Sequence, residues 1–419
     1  MEAHISPEVS PQPGSSLDLR HLRVAIVHHW FVEPWGGAER VVEAIARVFP
    51  QADLFAMMVD PKVLPPDLKR RKLTTSFLQR VPGKLRLRRH LLPLYPLALE
   101  QLDLSGYDLV VSSESAPAKG VLTDSGTCHI CYCHSPMRYI WDMYQDYRRA
   151  LPRFGRGVFT LASHYMRMWD VATAARVDYF VANSHNVASR VRKHYRREAA
   201  VIHPPVQVDQ GMLPRAIGDY YLVLGRMVAY KRVDLAIQAC NELGRKLLVA
   251  GNGADAAAWH KLAGPTVQFV GWLSDDAVRD AYAHCRALIF PGEEDFGLVP
   301  VEAQAFGRPV IAFGRGGALE TVQGLYPGDP FTADASGVFF VEQSVASLVE
   351  AIRYFESVEH RFSPDAIRER ARMFDEVHFR AAFESFVAEK VAECRIMNSR
   401  PGPRAGIAVA EPFVLSQSQ

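Results

Sequence analysis

The sequence predicts an α/β protein built from two doubly wound domains that face each other across a cleft. Three observations lead there. Short apolar runs alternate with amphipathic helical stretches, the pattern of parallel sheets covered on both faces. The alternation breaks at His203-Pro204-Pro205-Val206 and then starts afresh. The chain of 419 residues also exceeds what one ordinary core holds.

The elements follow in order. A first strand is expected over 23–28, then a loop from 30 to 37 and a helix through 38–45. Val41, Val42, Ile45 and Val48 share one face of that helix. Further strands are expected over 52–57, 109–112, 130–133 and 179–182. After the break come a strand over 220–224, a helix over 233–243 and strands over 246–249, 267–270 and 287–290. A helix over 301–306 and a strand over 310–312 complete that series. The division is therefore a disordered leader over 1–20, a first domain over 21–205 and a linker over 206–218. A second domain covers 219–373, a helix over 374–396 returns to the first domain, and 397–419 is a flexible tail.

Composition narrows the function. With 48% hydrophobic and 22% charged residues the chain reads as soluble and globular. Its 48 basic and 46 acidic residues leave a net charge of +2, which gives no reason to expect nucleic acid. No stretch approaches the roughly 20 apolar residues of a membrane span, and the leader has no apolar core of a secretory signal. Six mostly scattered cysteines fit a reducing cytoplasm.

In open parallel sheets ligands bind beyond the carboxyl ends of the strands, so the loops there carry the argument. Residues 291–303 follow the apolar run 287–290. Glu294 falls in the loop and Glu302 eight positions on, expected in the first turn of the next helix. Carboxylates accept hydrogen bonds from vicinal hydroxyls such as those of ribose and hexoses. Gly297 allows close backbone approach, and a helix start offers N–H groups to a diphosphate. Taken alone, the pair could also be a solvated Glu294 and a Glu302 that favours a helix start. The intervening Phe296-Gly297-Leu298 weighs towards a site.

Glu294-(x7)-Glu302, with Phe296-Gly297-Leu298 in its middle, resembles the E-x7-E signature of retaining glycosyltransferases of family 4, which have the GT-B fold. The downstream Gly314-Arg315-Gly316-Gly317-Ala318-Leu319-Glu320 is similar to that family's Gly-rich loop near the donor. The resemblance extends from about 22 to 393 and is most specific in the second domain. It implies that Glu302 holds ribose hydroxyls and Glu294 those of the transferred sugar.

The supporting residues are read in the same two ways. Arg226 and Lys231 follow the first strand of the second domain and could converge on a diphosphate. The family's Gly-Arg-(x4)-Lys pattern implies that they neutralise the leaving nucleoside diphosphate with no metal. Gly251 and Gly253 suit any tight turn, and the family has a similar pair beside the donor. Trp272 could stack on a base or only pack. Gly36 and Gly37 permit close approach to a phosphate or sugar, and they do not form a dinucleotide fingerprint. His134 ends a strand before Pro136, where its imidazole could bind a sugar hydroxyl or sit in the core; the family places a similar histidine beside the reaction centre. Zinc on Cys128, Cys131, Cys133 and His134 is disfavoured, because alternate residues of a strand point to opposite faces.

A basic stretch, Lys69, Arg70, Arg71 and Lys72, then Lys84, Arg86, Arg88 and Arg89, is interleaved with Leu, Phe and Val. It suits either an anionic membrane surface or plain solvent. The Cys131–Asp142 segment and the Gly36-Gly37-Ala38-Glu39-Arg40 loop most resemble bacterial mannosyltransferases of O-antigen and exopolysaccharide assembly. This implies a hexose moved from GDP-mannose to a glycan hydroxyl, lipid-linked if the basic stretch meets membrane, at the inner face of the cell membrane. His134, Glu294, Arg226 and Lys231 are the expected catalytic group, and the donor is a substrate rather than a cofactor. UDP-sugars remain the alternative donors, since no residue decides guanine against uracil. A sugar-nucleotide epimerase or a non-catalytic nucleotide-sugar binder remains the alternative of another class.

Overall fold

The computed structural model describes residues 18–32, 36–88, 90–114, 117–208 and 216–399. Most of the leader and tail, the middle of the linker and Arg89 lie outside the described residues. Among the described residues there are two seven-stranded, wholly parallel sheets. The first contains β1 (Val24–Phe31), β2 (Asp53–Val59), β3 (Leu73–Thr75), β4 (Leu109–Glu114), β5 (Cys128–Cys133), β6 (Tyr179–Ala182) and β7 (Ala199–Val201). Their order is β3-β2-β1-β4-β5-β6-β7. The second contains β8 (Tyr221–Leu224), β9 (Leu247–Ala250), β10 (Val267–Gly271), β11 (Ala287–Phe290), β12 (Val310–Phe313), β13 (Gly324–Leu325) and β14 (Gly337–Phe340). Here the order is β10-β9-β8-β11-β12-β14-β13. In both sheets the strand order reverses beside the first strand, between β1 and β4 and between β8 and β11. These are two Rossmann-like domains, as the alternating pattern predicts.

The central strands β4, β5, β11 and β12 are buried along their whole length, because helices cover both faces. Four strands escape sequence reading. Strands β3, β7 and β13 are too short to show a period. Strand β14 begins on Gly337, where a Cβ would come within 2.1 Å of the Val310 carbonyl oxygen. The missing side chain lets β14 lie against β12.

The two domains are joined twice. Val206 pairs with Asp375 in a parallel bridge, so the outgoing and returning chains run side by side. The helix Glu376–Ser399 then packs Phe379, Phe383, Val387, Val391 and Cys394 into the first domain's core, beside Ile45, Phe49 and Tyr132.

The basic stretch divides into separate parts. Residues 69–72 lead into the edge strand β3, whereas Lys84–Leu87 is a short helix further on. Arg71 departs from the expected membrane role. Its guanidinium donates to the carbonyls of Ala46 (2.5 Å), Phe49 (2.8 Å) and Pro50 (3.2 Å), where it satisfies the end of the helix Gly37–Val48. Lys84 donates to the Gln79 carbonyl at 2.8 Å and Arg88 to that of Leu85 at 2.6 Å. Lys69, Arg70, Lys72 and Arg86 are exposed.

Candidate active site

The second sheet's switch point lies between β8 and β11, and the loops that leave these strands form a crevice. Gly225, Arg226, Met227, Lys231, Gly292 and Glu294 line it. The loops meet backbone to backbone. Gly251 holds φ +126°, and a Cβ there would lie 2.0 Å from the Gly225 carbonyl oxygen. One at Gly317 would lie 2.3 Å from the Cα of Phe296, and the Gly317 N–H donates to the Glu294 carbonyl at 2.9 Å. The expected Gly251 and Gly253 therefore act as spacers, with Gly253 against the Met227 carbonyl. They set where the charged residues stand.

Two of those residues meet. Lys231 Nζ donates to Glu294 Oε1 at 2.5 Å. Burial works against the ammonium, but the adjacent carboxylate outweighs it and raises the Lys231 pKa, so the pair is ionic. Arg226 is exposed on the same loop. Glu302 lies in the second turn of the helix Leu298–Ala305, not the first, because the helix begins three residues earlier than the pattern suggests. It accepts from Tyr282 Oη at 2.7 Å and from Arg40 Nη1 at 2.5 Å. A carboxylate has about four acceptor positions, so capacity remains for further hydroxyl donors.

Other expected donor contacts fall differently. Phe296 is buried at the double crossing, stacked on His203 at 5.4 Å and edge-on to Phe374 at 5.5 Å. Its ring therefore packs the acidic loop against this crossing. Gly297 takes φ +92° at the helix start. The Leu298 side chain lies against Gly37 of the other domain, where even a Cβ would overlap it. Gly36 precedes the helix Gly37–Val48, and its N–H donates to Glu39 Oε2 at 3.1 Å. Trp272 is 69% exposed past the end of β10, so it belongs to no core.

On the first domain's side, the switch point brings together β1, β4 and the end of β5. Ser113 Oγ lies 3.1 Å from His28 Nδ1 and 2.9 Å from His134 Nε2. One hydroxyl proton serves two rings, so Ser113 donates to one imidazole and accepts from the other. Glu39 decides the direction. Burial raises its pKa, but His28 more than offsets this, and the carboxyl stays ionised. Its Oε1 faces His28 Nε2 at 3.9 Å, which favours the proton on that nitrogen. We accordingly assign His28 Nδ1 as the acceptor and His134 Nε2 as the donor, leaving His134 Nδ1 as its ring's acceptor. Burial, reinforced by His28 and opposed by Glu39, pushes the His134 pKa down to about 3. Its ring is neutral.

The two rims touch. Arg138 and Arg190 both reach the Asp295 carboxylate, Arg138 at 3.5 Å, and Ser184 Oγ donates to the Asp295 carbonyl at 2.6 Å. Glu320 caps a helix of the other domain by accepting the N–H groups of His185 (2.8 Å) and Asn186 (3.0 Å). Sequence reading missed Arg40, Asp295 and Glu320 as cross-cleft contacts, although all three stand inside the quoted motifs. It also missed His28 and Ser113, for which a strand-end position was the available signal.

The disfavoured zinc arrangement does not form. Cys131 and Cys133 pack in one core cluster, and Cys128 in another on the opposite side of β5. The structure instead brings Cys128 beside Cys394 and Asp178, with ligand atoms within 4.8 Å of one another.

With this geometry in place, comparison with known proteins accounts for both halves. The model described as "Glycosyltransferase Family 4" matches residues 35–210, and that described as "Glycosyl transferases group 1" matches 217–374. Both halves of the chain are glycosyltransferase domains. A D-inositol 3-phosphate glycosyltransferase of Streptomyces bingchenggensis is 28% identical over 188 residues, 36% of this chain and 41% of that protein. The human alpha-1,3/1,6-mannosyltransferase ALG2 is 22% identical over 241 residues, 47% of this chain and 58% of its own. The matched region thus spans less than half of the first relative's length and under two thirds of the second's. Among solved structures, Anabaena HepE in complex with UDP superposes with a TM-score of 0.65 at 15% identity, covering 88% of this chain and 100% of that one. At such identity it shows the shared two-domain glycosyltransferase fold.

Proposed function

We propose that the protein transfers a hexose, mannose from GDP-mannose, to a hydroxyl of a lipid-linked glycan, with retention of anomeric configuration, in polysaccharide or O-antigen assembly. One observation carries this reading: Arg226, Lys231 and Glu294 line one crevice at the switch point of the second sheet, and the helix that follows the Glu294 loop carries Glu302, so that two cations and two carboxylates are at hand for a diphosphate flanked by two sugars. Named mannosyltransferases among the relatives support the sugar.

In this scheme Lys231 exchanges Glu294 for a phosphate oxygen when the donor enters, and Arg226 adds a second charge. Glu294 is released to accept from hydroxyls of the transferred sugar, while Glu302 accepts from ribose. The neutral His134 accepts a sugar hydroxyl through Nδ1. The bond from the anomeric carbon to the diphosphate oxygen breaks, the acceptor oxygen bonds to that carbon on the same face, and the acceptor proton passes to the leaving phosphate. The two side-chain cations supply the charge stabilisation, and the scheme uses no metal.

Calorimetric titration with GDP, UDP and ADP, without added metal, tests the site. GDP should bind tightly, and Arg226→Ala/Lys231→Ala should weaken it by roughly 100-fold, as expected for loss of two charge-assisted contacts. Preference for UDP would overturn the mannose donor. Binding of none of the three would overturn the donor site itself.

A further inference from the structure

The helix Arg153–Ala174 buries Ser163, Met166, Asp170 and Thr173 inward. Its outward face is apolar as well. Phe154, Val158, Leu161, Tyr165, Met168 and Val171 all stand exposed, Phe154 at 87% and Leu161 at 73%. Their spacing of three and four residues aligns them in one stripe, roughly 26 Å long at the rise of an α-helix. From Gly157 to Ala172 no exposed position carries a charged side chain. A solvated helix ordinarily shows its charges there, and a contiguous apolar face of this length marks a contact surface.

The surroundings select the partner. Arg149 and Arg153 are exposed at the start of the stripe, and Arg148 and Arg156 flank them. The turn Leu92–Leu94 joins the helix through Leu92 and Trp169, and it exposes Leu94, followed by Leu97. Nearby acids are neutralised: Asp146 pairs with Arg149 at 2.9 Å and Glu100 with Arg176 at 2.8 Å. The excess is therefore positive. A second copy of the chain laid along this face would bring arginines to arginines if parallel. The positions beside the stripe, Gly155, Gly157, Ala162 and His164, hold no pair of opposite charges to set a register. An apolar band with a basic collar fits an anionic bilayer, into which it can sink while the arginines meet headgroups.

We propose that the outward face of the helix Arg153–Ala174 is a docking surface for an anionic lipid bilayer. This moves the main membrane contact away from the basic stretch at 69–72 and onto the first domain's long helix. It rests on the lipid-linked acceptor proposed above, but the two can fail separately: lipid binding is read without donor or acceptor, and nucleotide binding without lipid.

The test is flotation of the full chain with phosphatidylcholine vesicles, with and without phosphatidylglycerol. Wild type should float with the anionic vesicles, and Leu161→Glu/Met168→Glu should lower partitioning by roughly tenfold or more. Both side chains are exposed, and an unchanged melting temperature and GDP titration would show an intact fold. A second variant, Leu161→Trp, should shift its fluorescence to the blue when anionic vesicles are added. Undiminished flotation of the double glutamate variant, or equal binding to pure phosphatidylcholine, would overturn the assignment. So would a dimer that the glutamates dissociate while vesicle binding stays unchanged, because the face would then belong to a second copy.

Discussion

The two switch points face one cleft but are assembled differently. At the second sheet the groups that line the crevice come from two short segments, 225–231 and 292–294, held together by glycines that let backbone lie on backbone. At the first sheet His28, Glu39, Ser113 and His134 come from four separate elements, joined by one shared hydroxyl, with the His134 ring kept neutral by burial. The first arrangement holds charge ready for an incoming anion. The second holds directional hydrogen bonding, which suits a hydroxyl. A rim made of charge depends on distance between loops, whereas a rim made of tautomers depends on the protonation state of its histidines.

The largest effect should come from breaking the loop contact of the second rim. Gly251→Ala places a methyl 2.0 Å from the Gly225 carbonyl oxygen at φ +126°. The expected loss is about 4 kcal/mol of stability, together with GDP binding. Chemical denaturation and calorimetry check it against Gly126→Ala, whose added methyl has open space around it. Equal behaviour of the two variants would remove the spacer role.

These contrasts explain what could be read in advance. The two-domain fold followed from strand alternation and its restart, which depend only on local apolar pattern. Arg226, Lys231 and Glu294 could be singled out because each stands a few residues past a recognisable strand, and Glu302 because of its spacing from Glu294. The packing of Phe296 was not legible, since its place in the same motif gave no sign that its ring is buried beside His203 and Phe374. The Ser113 link was not legible, because residues far apart in sequence meet only once β1, β4 and β5 lie side by side. Arg71 shows the same limit: a basic cluster does not reveal that one of its members ends a helix.

Acidification should separate the two halves next. Burial pushes the His129 pKa down to about 4, opposed by its bond to the Arg176 carbonyl, and His134 is shifted the same way. The free imidazole titrates near pH 6.5, so below that the unfolded chain takes up protons that the folded one refuses. Stability is thus complete above about pH 6.5 and should fall by roughly 3 kcal/mol for His129 alone as pH drops towards 4. Hydrogen exchange should show β5 losing protection before β11. His129→Gln should flatten the slope over this range. A first domain whose exchange does not change between pH 7 and 5 would contradict the neutral assignment.

The smallest effect addresses the shared hydroxyl. Ser113→Ala removes the link between His28 and His134 but leaves the second rim untouched. Without Ser113 to receive its Nε2 proton, His134 is free to shift that proton to Nδ1, and an acceptor becomes a donor. The expected loss is about 1 kcal/mol in transition-state binding, roughly fivefold in kcat/KM, with GDP affinity unchanged. His134→Ala should lower turnover further and should not add to Ser113→Ala in the double variant, since both act through one ring. Additive losses would mean that Ser113 supports the rim by packing. A fall in GDP affinity for Ser113→Ala would mean that the two rims are coupled, and the division between a charged and a neutral side of the cleft would no longer hold.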